Sequence, residues 1–302
     1  MKLQNIFALI VTLIGFAACT SESELLDTPV ENSDLVPVTI SLGSIQTKAS
    51  VGLDTDEGTI QNAVIGIFDS NGIPTVAPIV LTSSTNGTTR LPLVKSNAYA
   101  FVNVSDEDIE ALKSFSSMNE FKNYPITKQL TQDAAALPKF GEKTNFTPTA
   151  NGNIEIPVHQ LTARLDVSVE VIVMENEQDV TNQHPEIQFT KSSLSWTNIL
   201  NKTANTTVEG NSGSFTTTID KDYNVINRTY SYPGAMPTLS LTGTIDGKVY
   251  DRSYTFGSSL SADHVYVVLM KATVHLNTEI TVSFDYEIIK KDPVTVDVPS
   301  FD

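Results

Sequence analysis

The 302-residue sequence contains one cysteine, Cys19, so no disulfide can form within the chain. Stability must come from apolar burial and backbone pairing instead. Basic residues are also scarce: 19 Lys and Arg stand against 35 Asp and Glu, a net charge of -16. That balance argues against nucleic acid or an anionic membrane surface as a partner. The four histidines, at 159, 184, 264 and 275, lie far apart. None sits in an HExxH, an HxH or a Cys/His pairing, so no metal site is expected. There is no GxSxG elbow, no P-loop and no GxGxxG after a strand, and the glycines are scattered turn residues. Carboxylates are plentiful, but no two are singled out as a glycosidase pair. Asp54-Thr55-Asp56-Glu57-Gly58 partly matches a calcium loop, yet it lacks the third spaced ligand and the terminal Glu. The expectation is a non-enzymatic chain without cofactors.

What is present begins with an export signal. Lys2 supplies a positive n-region, and residues 6 to 16 form an apolar run of secretory length, shorter than the roughly 18 residues needed to span a bilayer. Small residues then precede the cysteine in Phe16-Ala17-Ala18-Cys19. This stretch resembles the lipobox of bacterial lipoproteins, which implies removal of residues 1–18, lipidation of Cys19 and anchorage in the outer membrane. Thr20 to Glu24 is polar and acidic, suited to a solvated tether.

Beyond it the pattern is β. "IQNAVIGIFDSNG" (60 to 72) runs from an apolar strand into Asn71-Gly72, a strong turn dipeptide because both residues accept positive φ. Further strands are expected at 79–82, 89–94, 98–104, 153–158, 161–174, 186–190, 214–219, 238–245, 248–256, 264–275, 279–290 and 294–298. Asp246-Gly247 between "LSLTGTI" and "KVYDRSYTF" predicts a two-residue hairpin. Turns at such short intervals point to antiparallel β-sandwiches rather than βαβ units. One region differs: Ser105 reads as an N-cap, Asp106, Glu107 and Asp108 as an acidic first turn, and Ile109, Leu112 and Phe115 as the apolar face of a helix. A shorter helical turn follows through Met118 and Phe121, with Pro125 to stop it. These pieces are expected to cross between sheet edges. The domain junction is placed in "IEIPVHQLTARLDVSVEVIVM" (154 to 174), giving sandwiches over 49–158 and 159–302. Arg164, inside that strand, is expected to pair with a buried acid at the junction.

The stretch "VTISLGSIQTKAS" (38 to 50) lies between signal and first domain. Val38, Ile40 and Leu42 alternate with Thr39 and Ser41, as in a half-buried strand. The small and polar residues after Leu42, with Lys48 among them, read as an exposed connector open to proteases. Together with the lipobox, "IQNAVIGIFDSNG", "AYAFVNVS", the helical region, "LTARLDVSVEV" and the strand-rich end, this order resembles the fimbrillin family of Bacteroidales, the FimA-like type V pilins. The resemblance implies two transthyretin-like β-sandwiches in tandem. It also implies a prosegment over 19–48, removed by a trypsin-like protease at Lys48-Ala49, and polymerisation with other pilin subunits by donor-strand exchange, in a fimbria serving adhesion. Arg90 is set aside as a cleavage residue because it lies inside a predicted strand.

A sandwich missing one strand exposes backbone donors and acceptors above an apolar groove. Val38, Ile40 and Leu42 can fill that groove as a placeholder before cleavage. Val294, Val296 and Val298 of a neighbouring subunit present the same i, i+2, i+4 pattern afterwards. The other reading of 294–298 is the last strand of its own sandwich. A rival function is a surface glycan-binding lipoprotein that is never polymerised; Trp196, the one tryptophan, would be its platform, although a single Trp in a strand-rich chain is more often a core residue.

Overall fold

The structure, a computed structural model, describes residues 35–48, 55–131, 133–184, 187, 190–197, 202–203, 206–207, 212–216, 227–234, 236, 238–245, 247–277, 280–291 and 293–296. Strands dominate. In the first half these are β1 (Leu35–Lys48), β2 (Asn62–Asp69), β3 (Ile79–Thr82), β4 (Asn86–Pro92), β5 (Ser96–Val102), β6 (Lys139–Phe146) and β7 (Gly152–Gln160). The second half holds β8 (Ala163–Glu175), β9 (Gln178–Asp179), β10 (Thr190–Thr197), β11 (Lys202–Thr203), β12 (Thr206–Thr207), β13 (Ser212–Thr216) and β14 (Asn227–Ser231). It continues with β15 (Thr238–Ile245), β16 (Lys248–Thr255), β17 (Val265–Leu276), β18 (Ile280–Lys291) and β19 (Pro293–Val296).

The first half makes one sheet in the order β1-β7-β6-β5-β2-β3, with β4 and the distant β19 both paired to the other side of β1. One apolar core of this sheet draws Ile40 and Leu42 from β1, Ile65 and Ile67 from β2, Leu91 from β4 and Ile156 from β7. Strands β2 and β5 are buried on both faces, which explains why "NAVIGIFD" and "SNAYAFV" read as near-continuous apolar runs instead of alternating ones. Their outward residues Val64, Phe68, Tyr99 and Phe101 pack under two helices, α1 (Asp106–Ser114) and α2 (Met118–Lys122), through Leu112 and Phe121. Phe121 sits so close that a Cβ on Gly66 would stand 3.0 Å from its ring. The helices lie between β5 and β6, which pair directly. They therefore cap the outer face of the sheet and do not cross between its edges as the sequence suggested.

Beyond Gln160 the chain builds two more sheets, β14-β8-β17-β18 and β13-β10-β15-β16, plus the small β11-β12 ladder. The hairpin expected at Asp246-Gly247 is present: β15 and β16 are in register to Ile245↔Lys248, and Gly247 has φ +73°. At Asn71-Gly72 the turn is closed by Gly72 at φ +81° and by Asp69, whose carboxylate accepts the Asn71 and Ile73 amides. Strands β6, β9, β11, β12 and β14 had no counterpart in the expected set, and β10 meets the strand expected at 186–190 only at Thr190. Their sequences, such as "KFGEKTNF" and "TKSSLSWT", carry too many polar residues to show an apolar period, and neighbouring strands recruit them. Trp196 falls on β10, between β13 and β15.

The cap of α1 is a reciprocal box: the Ser105 hydroxyl accepts the Asp108 amide and Asp108 accepts the Ser105 amide. Asp108 also accepts from the Tyr124 hydroxyl and from the amide and hydroxyl of Thr127, tying α1 to the chain beyond α2. Burial alone would raise the Asp108 carboxyl, but these hydrogen bonds together outweigh it and hold the group below its ordinary value. A depressed carboxylate contributes stability that is present above its unfolded value and lost as pH falls through the folded one. Asp108→Asn should therefore lower the melting temperature at neutral pH, with the deficit closing below about pH 4. Thermal melts across that range check this, and a deficit independent of pH would contradict it.

Candidate strand-exchange site

β1 is an interior strand. On one side it runs parallel to β7, with Val38, Ile40 and Leu42 opposite Gly152, Ile154 and Ile156. On the other it runs antiparallel to β4 over residues 35–41, with Val38 opposite Thr89 and Ile40 opposite Gly87. Val38, Ile40 and Leu42 are each at most 3% exposed. Side-chain and loop contacts reinforce the ladders: the Ser41 hydroxyl donates to Asn153, the Arg90 guanidinium donates to the Leu35 carbonyl, and the Leu42 amide donates to the Thr85 carbonyl at 2.7 Å. Arg90 is thus a structural residue of β4.

Burying three aliphatic side chains of this size is worth roughly 1.5–3 kcal/mol each, or about 5–9 kcal/mol gross. That is comparable with the whole stability of an ordinary domain, about 5–15 kcal/mol. Taking β1 out would leave a slot between β7 and β4, with unpaired backbone on both walls and an apolar floor made by Leu91, Ile154 and Ile156.

The remaining sequence-predicted residues fall as follows. Cys19, Ala49 and Val298 lie outside the described residues. Lys48 is the last residue of β1, which does not dissolve after Leu42 into a connector as the sequence suggested. The strand steps through an irregularity between Gly43 and Ile45, then continues opposite Val158 and His159 of β7 and opposite β19. Val294 and Val296 lie on β19, facing Thr47 and Ile45 in the ladder. They are therefore attached to the first sheet and not to either sheet of the second half.

The segment just beyond Lys48 reveals a group that sequence reasoning missed. Thr55–Gly58 forms a 3-10 turn in which Glu57 is fully buried, so the partial calcium-loop match is an anchoring turn. Arg164 Nη1 donates to Glu57 Oε1 at 3.0 Å, and the Tyr230 hydroxyl donates to the same oxygen at 2.8 Å. Arg164 also holds Asp166 through Nε and Nη2, and Asp166 in turn accepts from Arg228. Gln160 donates to the Glu57 carbonyl, while Asn103 and the buried Lys139 both donate to the carbonyl of Thr59. The chain after the Lys48-Ala49 bond is thus fastened to both halves independently of β1. The expected acid partner of Arg164 is in fact two acids; the signal for Glu57 was the acidic cluster 54–57, and only its distance in sequence from Arg164 hid the pairing.

No known family model matches the sequence, and no curated protein matches it. The fold does have solved counterparts. A candidate cell adhesion protein from Bacteroides eggerthii superposes with a TM-score of 0.57 at 14% identity, covering 86% of this chain and 96% of that one. A fimbrial assembly protein from Parabacteroides distasonis does so with a TM-score of 0.52 at 15% identity, covering 87% and 99%. The chain shares its fold with these Bacteroidales proteins. Among the described residues no group of three or more His, Cys, Asp or Glu side chains is placed to hold a metal ion.

Removing one member of a buried ion cluster strands its partner's charge, at a cost of about 3–5 kcal/mol. Arg164→Ala should therefore destabilise the protein by about that amount in chemical denaturation. Arg228→Ala, whose side chain reaches the same cluster from a partly exposed position, should cost less. Equal costs would contradict the assignment of Arg164 as the centre of the junction.

Proposed function

We propose that this chain is a structural subunit of a cell-surface fimbria. It is exported as a lipoprotein on Cys19, matured by a trypsin-like protease that cuts after Lys48, and polymerised when Val294, Val296 and Val298 of one subunit enter the slot that β1 leaves in the next. The fibre serves adhesion. The observation that carries this reading is that β1, a segment on the signal side of Lys48, is an interior strand of the first sheet. A strand with ladders on both sides is an unusual thing to place beside a basic residue suited to tryptic cleavage, unless its loss is part of the protein's life. The fold shared with a fimbrial assembly protein supports the same reading.

The geometry supports the following sequence of events. The contacts of Glu57 and Thr59 hold the entry to β2 independently of β1, so the cut would release the segment that ends at Lys48 and leave β2 in place. The open slot then exposes two unpaired backbone walls and an apolar floor, which a strand with apolar residues at i, i+2 and i+4 satisfies. Each subunit gives one strand and takes one, a head-to-tail contact that does not close and so yields a fibre.

Limited trypsin treatment of the unlipidated precursor tests the proposal, read by sequencing the new N-terminus and by running unheated SDS gels. A start at Ala49 accompanied by SDS-resistant ladders is expected. Truncation after Asp292 should leave a folded monomer that is still cut but forms no ladders. An intact 35–48 segment, or ladders from the truncated chain, would overturn the proposal.

A further inference from the structure

β19 has one strand partner among the described residues, and that partner is β1. The four-residue ladder runs Ile45↔Val296, Gln46↔Thr295, Thr47↔Val294 and Lys48↔Pro293. The same β1 fills the space between β7 and β4. Resting on the strand-exchange reading above, we propose that β1 is a double lock: in the uncut chain it occupies the acceptor slot and also holds its own subunit's donor strand in cis, so one cut after Lys48 arms both ends together.

Three features of the ladder carry the inference. It is short and one-sided, and its first residue, Pro293, has no amide to donate. A two-stranded pairing of that length is not stable alone. β19 therefore stays in place only while β1 is anchored by its ladders to β7 and β4, and it loses its pairing when β1 goes. The ladder also reaches the scissile residue: residues 45 and 46 have β7 on their far side, whereas the pairing of 47 and 48 is with β19 alone among the described strands. Finally, arming the two ends together has a consequence for assembly. A subunit able to donate while its own slot was still filled would add to a fibre and stop it, because nothing could then dock on it. Holding the donor on β1 removes that chain-terminating species.

A reversible cross-link tests this. In full-length precursor carrying Cys19→Ser, Gln46→Cys and Thr295→Cys, an opposed pair outside the donor residues, mild oxidation at high dilution should give an intramolecular disulfide, identified by mass spectrometry of the linked peptides. The oxidised protein cut after Lys48 should form no ladders, and adding reductant should restore them at least tenfold. Folded precursor that forms disulfides only between molecules, or none, would overturn the cis ladder. So would oxidised, cut protein that polymerises as readily as reduced. Reduced, cut protein that forms no ladders, although the cis cross-link had formed, would instead overturn the fimbrial reading on which the arming role rests.

Discussion

The structure depends on a single requirement: the two backbone edges of β7 and β4 need a strand between them. β1 supplies it, with Val38, Ile40 and Leu42 sealing the core beneath. An edge strand could be lost with modest consequence, because its outer groups are already solvated. An interior strand cannot, since its loss exposes two rows of donors and acceptors and an apolar floor at once. The first sheet is therefore either complete or strongly disposed to accept a replacement. That property, in a chain with no second cysteine to staple the sheet, is the one the proposed strand exchange would use.

The chain entering β2 is held by more than β1. Glu57, paired with Arg164 and Tyr230, and Thr59, bound by Asn103 and Lys139, fix that entry on the far side of the Lys48-Ala49 bond. A buried ion cluster is an expensive way to gain stability, since desolvation offsets most of the attraction. It is a good way to fix a geometry, because each guanidinium and carboxylate accepts few alternative partners. Here it fixes the entry to β2.

The sequence showed the local parts of this account and hid the distant ones. Alternation at 38–42 marked a buried strand, Ser105 and Asp108 marked a capped helix, and Asp246-Gly247 marked a hairpin; each is decided within a few residues. The run of β1 through Lys48 was not legible, because residues 43–48 have no apolar period and are held by partners far along the chain, β7 and β19. The helices were legible as helices but not as a lid on β2 and β5, since the direct pairing of β5 with β6 leaves no trace in their intervening sequence. Glu57 stood in the sequence only as part of a partial calcium-loop match, and the fold brings Arg164 and Tyr230 to it. The valine alternation at 294–296 announced a strand, while its partner was fixed only by the fold.

The central claim, that β1 is an interchangeable occupant of a defined slot, is tested most directly by giving the strand back. Freshly cut subunits, separated from the released segment, are offered a synthetic peptide of residues 35–48 in large excess before assembly. Melting temperature and ladder formation are then followed together. The account predicts that the peptide binds, returns the melting temperature toward that of the uncut precursor and suppresses ladders. Unimpeded ladders with no change in melting temperature would contradict it.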